Sequence, residues 1–114
     1  MAFDALVTNA GRLRILTALA GQGAQEFVAL RKLTGLSDGN LSAHARRLEA
    51  GGLVDIQKAF RAAKPVTSIH LTPAGRAALE GHAKAVMAAV AGPATAAVAV
   101  PAGFVEEAPD DWVD

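Results

Sequence analysis

No cysteine occurs in the 114 residues, which excludes a disulfide framework, a thiol nucleophile and a thiolate metal site. No apolar run approaches the ~20 residues of a membrane-spanning helix. The opening Met1-Ala-Phe-Asp-Ala5 has neither the basic flank nor the apolar block of a secretory signal, so a cytoplasmic protein is expected. There is no phosphate-binding loop and no His-Glu zinc signature. The three histidines, His44, His70 and His82, have no acids at convergent spacing. Neither an enzyme, a cofactor nor a metal site is expected. No internal repeat is visible, and the length suits one domain with a single modest core. Hydrophobic residues make up 52 %, but many are alanine, so the core is smaller than that figure suggests.

The formal net charge of zero hides an asymmetry. All eleven Lys and Arg residues lie between Arg12 and Lys84, against six acids in residues 1–91, a balance of +5. Residues 92–114 hold the other five acids, Glu106, Glu107, Asp110, Asp111 and Asp114, and no base. A basic body with an acidic tail is chemically unlike a neutral protein.

One stretch is more ordered than the rest: Ser37-Asp-Gly-Asn-Leu-Ser-Ala-His-Ala-Arg-Arg-Leu-Glu-Ala-Gly-Gly52. Ser37 is a helix N-cap by residue type, Asp38 suits the first turn and its dipole, and Gly51-Gly52 suits the left-handed stop. At about 100° per residue, Leu41, Ala45 and Leu48 share one arc, the expected buried side. The opposite arc carries Gly39, Ala43, Arg46 and Arg47, flanked by Asn40 and Ser42. A face that is short at its N-terminal end and cationic behind can approach a polyanion closely and clamp it; DNA suits it best.

Upstream, residues 4–7 read as a helical lead-in. Asn9 caps a helix through residue 20, with Leu13, Leu16 and Ala20 on one side, Ile15 and Leu19 widening the stripe, and Gly21-Gln-Gly23 ending it. Phe27, Leu30 and Leu33 space a short helix over 27–33. Thr34-Gly35-Leu36 is the turn, so a helix-turn-helix is expected. Downstream, Val54 and Ile56 alternate with Asp55 and Gln57, and Ile69 and Leu71 alternate in the next strand. The basic link Arg61-Ala-Ala-Lys-Pro65 makes the two strands a hairpin. Thr72 caps a helix with Pro73 at its first position, running to residue 91. Its Leu79, Ala83, Val86 and Val90 form a stripe that wants a partner, most simply the same helix of a second subunit. Residues 92–114 are Ala-, Val- and Pro-rich and then acidic, read as a mobile or loosely docked tail.

The order helix, helix, turn, helix, hairpin, helix resembles the small winged-helix transcriptional regulators of the MarR/ArsR-like group. The segments that carry the resemblance are Arg12-Leu-Arg-Ile-Leu16, Leu36-Ser-Asp-Gly-Asn-Leu-Ser-Ala-His44, Arg47-Leu-Glu-Ala-Gly-Gly-Leu-Val54, Lys64-Pro65 and Leu71-Thr-Pro-Ala-Gly-Arg76. The fold class is then mainly α with a small β-hairpin (α+β), a winged helix-turn-helix with a long C-terminal dimerisation helix. Residues 1–91 form the DNA-binding and dimerisation domain and 92–114 the tail. The resemblance implies a homodimer on double-stranded DNA, with the helix over 38–50 in the major groove and the hairpin over 58–66 as the wing. Ala43, Ala45 and a wing tip without Gly-Arg depart from the family pattern and lower the expected affinity.

Within that frame Asn40 and Arg46 are expected to read base edges, with Ala43 on a thymine methyl. Ser37, Ser42 and Arg47 would hold phosphates. Lys58, Arg61 and Lys64 are expected to cluster at the wing tip on the backbone or minor groove. For each residue taken alone, a cap or a solvated face is the competing reading. Arg12 and Arg14 are either further phosphate contacts or surface charge. His44 is expected to be partly packed and His70 to face outward. The tail keeps the protein soluble, competes with phosphate for the basic face, or docks through Phe104 and Trp112. The expected function is a dimeric transcriptional regulator, a repressor on an inverted repeat. The alternative is a winged-helix protein–protein interaction module that uses the fold and the acidic tail to bind a protein partner.

Overall fold

The computed structural model describes residues 4–92; the expected tail beyond Gly92 lies outside the described residues. The elements run α1 (Ala5–Thr8), α2 (Ala10–Gln22), β1 (Gln25–Glu26), α3 (Phe27–Thr34), α4 (Asp38–Ala50), β2 (Val54–Arg61), β3 (Lys64–Leu71) and α5 (Pro73–Ala91). The expected fold class is what is observed, mostly helical with a small antiparallel sheet. The sheet has one strand more than expected: its order is β1-β3-β2, with Gln25 opposite Ile69 and Glu26 opposite Ser68.

Helices α1, α2, α4 and α5 each begin where a cap residue holds a free N–H, whereas Glu26 before α3 makes no such bond. Asp4 accepts from Leu6 N, Asn9 from Arg12 N, Ser37 from Asn40 N and Thr72 from Gly75 N. The turn between α3 and α4 is fixed by two residues. Gly35 takes φ +74, which a side chain would resist, and Thr34 donates its hydroxyl to Leu30 O (2.8 Å) while accepting from Leu36 N (3.3 Å). At the end of α4 it is Gly52, at φ +78, that enters the left-handed region; Gly51 stays at φ −84.

Val7, Ile15, Leu16, Leu19, Leu30, Leu41, Ala45, Leu48, Leu53, Val54 and Ile69 form one core shared by the helices and the sheet. One expected helix boundary and one expected packing position differ. Helix α2 continues through Gly21 to Gln22 and stops at Gly23. Leu33 is 49 % exposed, and Thr34 is buried in its place. From Phe27, seven residues make about 700°, nearly two full turns, whereas six leave Leu33 roughly 120° off the inner face.

The motif Leu71-Thr-Pro-Ala-Gly-Arg76 closes the base of the hairpin. Thr72 donates its hydroxyl to Gly52 O (2.6 Å) and its N–H to Leu53 O (3.1 Å). Gly75 is buried, and a Cβ there would run into the carbonyl of Leu53, so α5 can seat against this backbone because residue 75 has no side chain. From this anchor α5 leaves the body: Leu79 is half-buried against the core, while Val86, Met87 and Val90 are exposed. No helix among the described residues is long and apolar enough to cross a membrane.

Candidate nucleic-acid interface

Helix α4 presents the residues its periodicity assigns. Leu41, Ala45 and Leu48 are buried, whereas Ser37, Asn40, Ala43, Arg46 and Arg47 are exposed and Ser42 is half-buried. A Cβ at Gly39 would meet nothing within 4 Å, so the N-terminal part of this face is open. The exposed residues divide between two flanks. Ser42 and Arg46 look toward the sheet, where they line a cleft of about 330 Å³ with Phe27, Ala45, Ile56, Lys58, Thr67 and Ile69. Asn40 and Arg47 lie on the opposite side. The cleft thus has an apolar floor and a cation on each bank, Arg46 from α4 and Lys58 from β2.

The hairpin is longer and tighter than the expected link. Strand pairing continues through Phe60↔Pro65 to Arg61↔Lys64, which leaves Ala62-Ala63 as a two-residue turn. Both alanines have positive φ, 51° and 66°, the geometry that asparagine and glycine adopt more readily. In such a hairpin the closing pair exchanges hydrogen bonds, so the next pair does not, and Pro65 loses no ladder bond to β2. The same alternation aims Ile56 N–H off the free edge of β2, where Glu49 at the end of α4 accepts it (3.3 Å).

The wing cations do not form the single cluster the sequence suggested. Side chains alternate along a strand, so Lys58 shares a face with Ile56 and Phe60, while Arg61 and Lys64 stand on the reverse face. Arg61 is also ion-paired with Glu26 of β1. Because β1 is defined by its pairing to β3 and not by its own pattern, neither the strand nor this pair was visible in the sequence. A second unforeseen pair, Arg31 to Asp38 at 3.0 Å, ties α3 to the first turn of α4.

Arg12 is neither a phosphate contact nor surface charge. It is buried, and its Nε donates to Leu6 O (2.7 Å) and its Nη2 to Ala5 O (3.3 Å), carbonyls near the end of the short α1. Its Nη1 donates to His44 Nδ1 (3.4 Å). Burial, then the positive charges of Arg12 and Arg47, hold the His44 pKa below the usual imidazole value. His44 is therefore the neutral acceptor of an internal contact on the flank of α4. Arg14 donates to Thr34 O (3.5 Å) from an exposed position. His70, half-buried, pairs with Ser68 Oγ at 3.0 Å. Among the described residues no three His, Asp or Glu side chains gather where they could share a metal ion.

A helix-turn-helix whose second helix runs into an antiparallel hairpin, with cations on both, is the architecture of a winged-helix regulator. The chain belongs to the winged helix DNA-binding domain family, whose model matches residues 12–90. It is 35 % identical over 71 residues to the uncharacterized protein MJ0432 of Methanocaldococcus jannaschii, covering 62 % of this chain and 77 % of that one. Among solved structures it is similar to a transcriptional regulator homologue from Pyrococcus horikoshii OT3 (29 % identity, TM-score 0.71, 75 % of this chain and 85 % of that one). It is also similar to BpsR of Bordetella bronchiseptica, whose DNA binding is regulated by 6-hydroxynicotinic acid (26 % identity, TM-score 0.61, 84 % and 76 %). A MarR-family regulator of Silicibacter pomeroyi matches at 26 % identity and TM-score 0.57, over 75 % of this chain and 59 % of that one. The resemblance read from the sequence thus holds: this is a MarR-like winged-helix regulator, and the solved structures it is similar to are described as regulators, not enzymes.

Proposed function

We propose that this chain is a sequence-specific DNA-binding repressor that acts in the cytoplasm as a homodimer on an inverted repeat. The observation that carries the reading is the convergence of Arg46 and Lys58, with Ser42, on one cleft beside the open Gly39 and Ala43 face of α4. Duplex DNA bears one charge per ~1.7 Å of axis, so a helix entering the major groove with cations on both banks matches it. Asn40 and Arg46 read base edges and Ala43 meets a thymine methyl. Ser37, Ser42 and Arg47 hold phosphate, and Lys58, Arg61 and Lys64 engage the backbone or minor groove. Residues 1–91 form the working unit, and the α5 stripe of Leu79, Ala83, Val86 and Val90 joins two copies. Exposure of Val86 and Val90 in the single chain supports that role. Half-sites then lie about one helical turn, ~34–36 Å, apart.

The test is selection from random-sequence duplex DNA, followed by binding across a salt series. Enrichment of one palindrome with a steep salt dependence is expected. Arg46→Ala should weaken binding to that sequence by about 1–3 kcal/mol and relax the preference at one position. No binding at low salt, by the full chain or by a chain lacking residues 92–114, overturns the reading. A second reading, the protein–protein interaction module with the tail as part of its surface, is favoured by one feature: the wing cation Arg61 is already paired with Glu26.

A further inference from the structure

We propose that the wing tip is a two-sided probe for the DNA minor groove, with Phe60 as its apolar wedge. The inference rests on the DNA-binding reading above and adds a residue and a mode of contact to it. Of the phenylalanines among the described residues, Phe27 packs against the core, whereas Phe60 is 78 % exposed. The strand register sets Phe60 opposite Pro65, itself exposed, on the face shared with Lys58 and Thr67. Arg61 and Lys64, the next pair, occupy the other face. The turn beyond them, Ala62-Ala63, carries nothing longer than a methyl group.

The last strand positions therefore offer two rings on one side, a guanidinium and an ammonium on the other, and a slim end. The minor groove is about 6 Å wide, with walls of sugar C–H groups and rims of phosphate. A tip of this shape can set its rings on a wall or a base step and its cations on a rim. An exposed ring alone would suit a protein partner equally well. Here Lys58 stands on the same face and Lys64 on the reverse, while Arg61 is held by Glu26. That charge pattern selects a polyanion. Apolar side chains that enter the minor groove partly unstack a base step and kink the duplex, which assigns Phe60 a mechanical contribution distinct from charge.

The experiment uses the full chain with a mixed-sequence duplex and with the duplex it enriches from random sequence. Removing an apolar ring buried on binding should weaken affinity for the enriched duplex about ten- to a hundred-fold in Phe60→Ala, with the salt slope unchanged. Phe60→Leu should stay close to the wild-type affinity. Lys64→Ala should instead lower the slope by about one unit. With 2-aminopurine at successive steps, one position should brighten on binding wild type and stay quenched with Phe60→Ala. The exposed ring makes no core contact, so the thermal midpoint should hold in both Phe60 variants. Undiminished affinity in Phe60→Ala, or a loss that tracks the salt slope, overturns the wedge. So does a loss of self-association with DNA affinity intact. If the wild-type chain binds neither duplex at low salt, the DNA reading itself has failed, a result distinct from failure of the wedge alone.

Discussion

Helix α4 buries Leu41, Ala45 and Leu48 within its own chain and turns polar and cationic residues outward. Helix α5, at nineteen residues against thirteen, buries Gly75 and leaves Val86, Met87 and Val90 in solvent, the last at 77 % exposure. The first helix is completed by the chain it belongs to, so it can offer its free face to a charged partner. The second is anchored at one end and unfinished at the other, and an apolar face of that kind is satisfied by apolar surface. In the proposed reading the two helices divide the work of recognition and assembly by the chemistry of what they leave exposed.

The largest expected effect breaks this division at α5. Val86→Asp with Val90→Asp places charge on the exposed stripe that the proposed homodimer would bury. Each buried valine contributes about 1.5–3 kcal/mol, so sedimentation should show the dimer reduced to monomer while the chain stays folded. A double variant that sediments as a stable dimer would remove the stripe from the interface. The converse substitution is Leu48→Ala on the inner side of α4. It should cost about 2–5 kcal/mol in denaturant unfolding, with association following only through stability. If Leu48→Ala unfolded no more easily than wild type, the contrast between the helices would collapse.

Gly75→Ala sharpens the comparison where α5 is anchored. The added methyl meets the carbonyl of Leu53, and backbone must shift; a loss of about 1–3 kcal/mol, read by thermal or urea unfolding, is expected. The smallest effect concerns the inner flank of α4. Because the His44 pKa is lowered in the fold, the unfolded chain takes up a proton that the folded chain resists. Stability is then full above the ordinary imidazole value of about 6.5 and declines as pH falls below it. His44→Asn, whose Oδ1 can still accept from Arg12, should flatten that decline in midpoint-against-pH scans.

Both helices were legible in the sequence because their signals are local. Ser37 and Thr72 mark the starts, and the 3.6-residue period assigns Leu41, Ala45 and Leu48 to one side. The exposed face of α4 followed from the same arithmetic. What escaped depends on pairing across distance. Gln25-Glu26 has no strand pattern and is a strand because Ser68 and Ile69 lie alongside. Arg12 has the composition of a surface residue and is buried because the carbonyls of Ala5 and Leu6 need donors. The convergence of Arg46 with Lys58, and the diversion of Arg61 to Glu26, follow from how the hairpin folds back over α3 and α4. Met87, exposed beside the expected stripe, falls outside the strict heptad-like spacing that picked out Val86 and Val90.

The turn Ala62-Ala63 bears on the order in which the wing assembles. An alanine in the left-handed region costs about 1–2 kcal/mol, so the tip does not nucleate the hairpin as an Asn-Gly turn would. Starting from the base, where Val54 meets Leu71 and Ile56 meets Ile69, closes a longer loop. That choice costs only about 2 kcal/mol more in entropy, and apolar contacts against the core offset it. The wing is thus expected to zip outward from the body, its tip forming last.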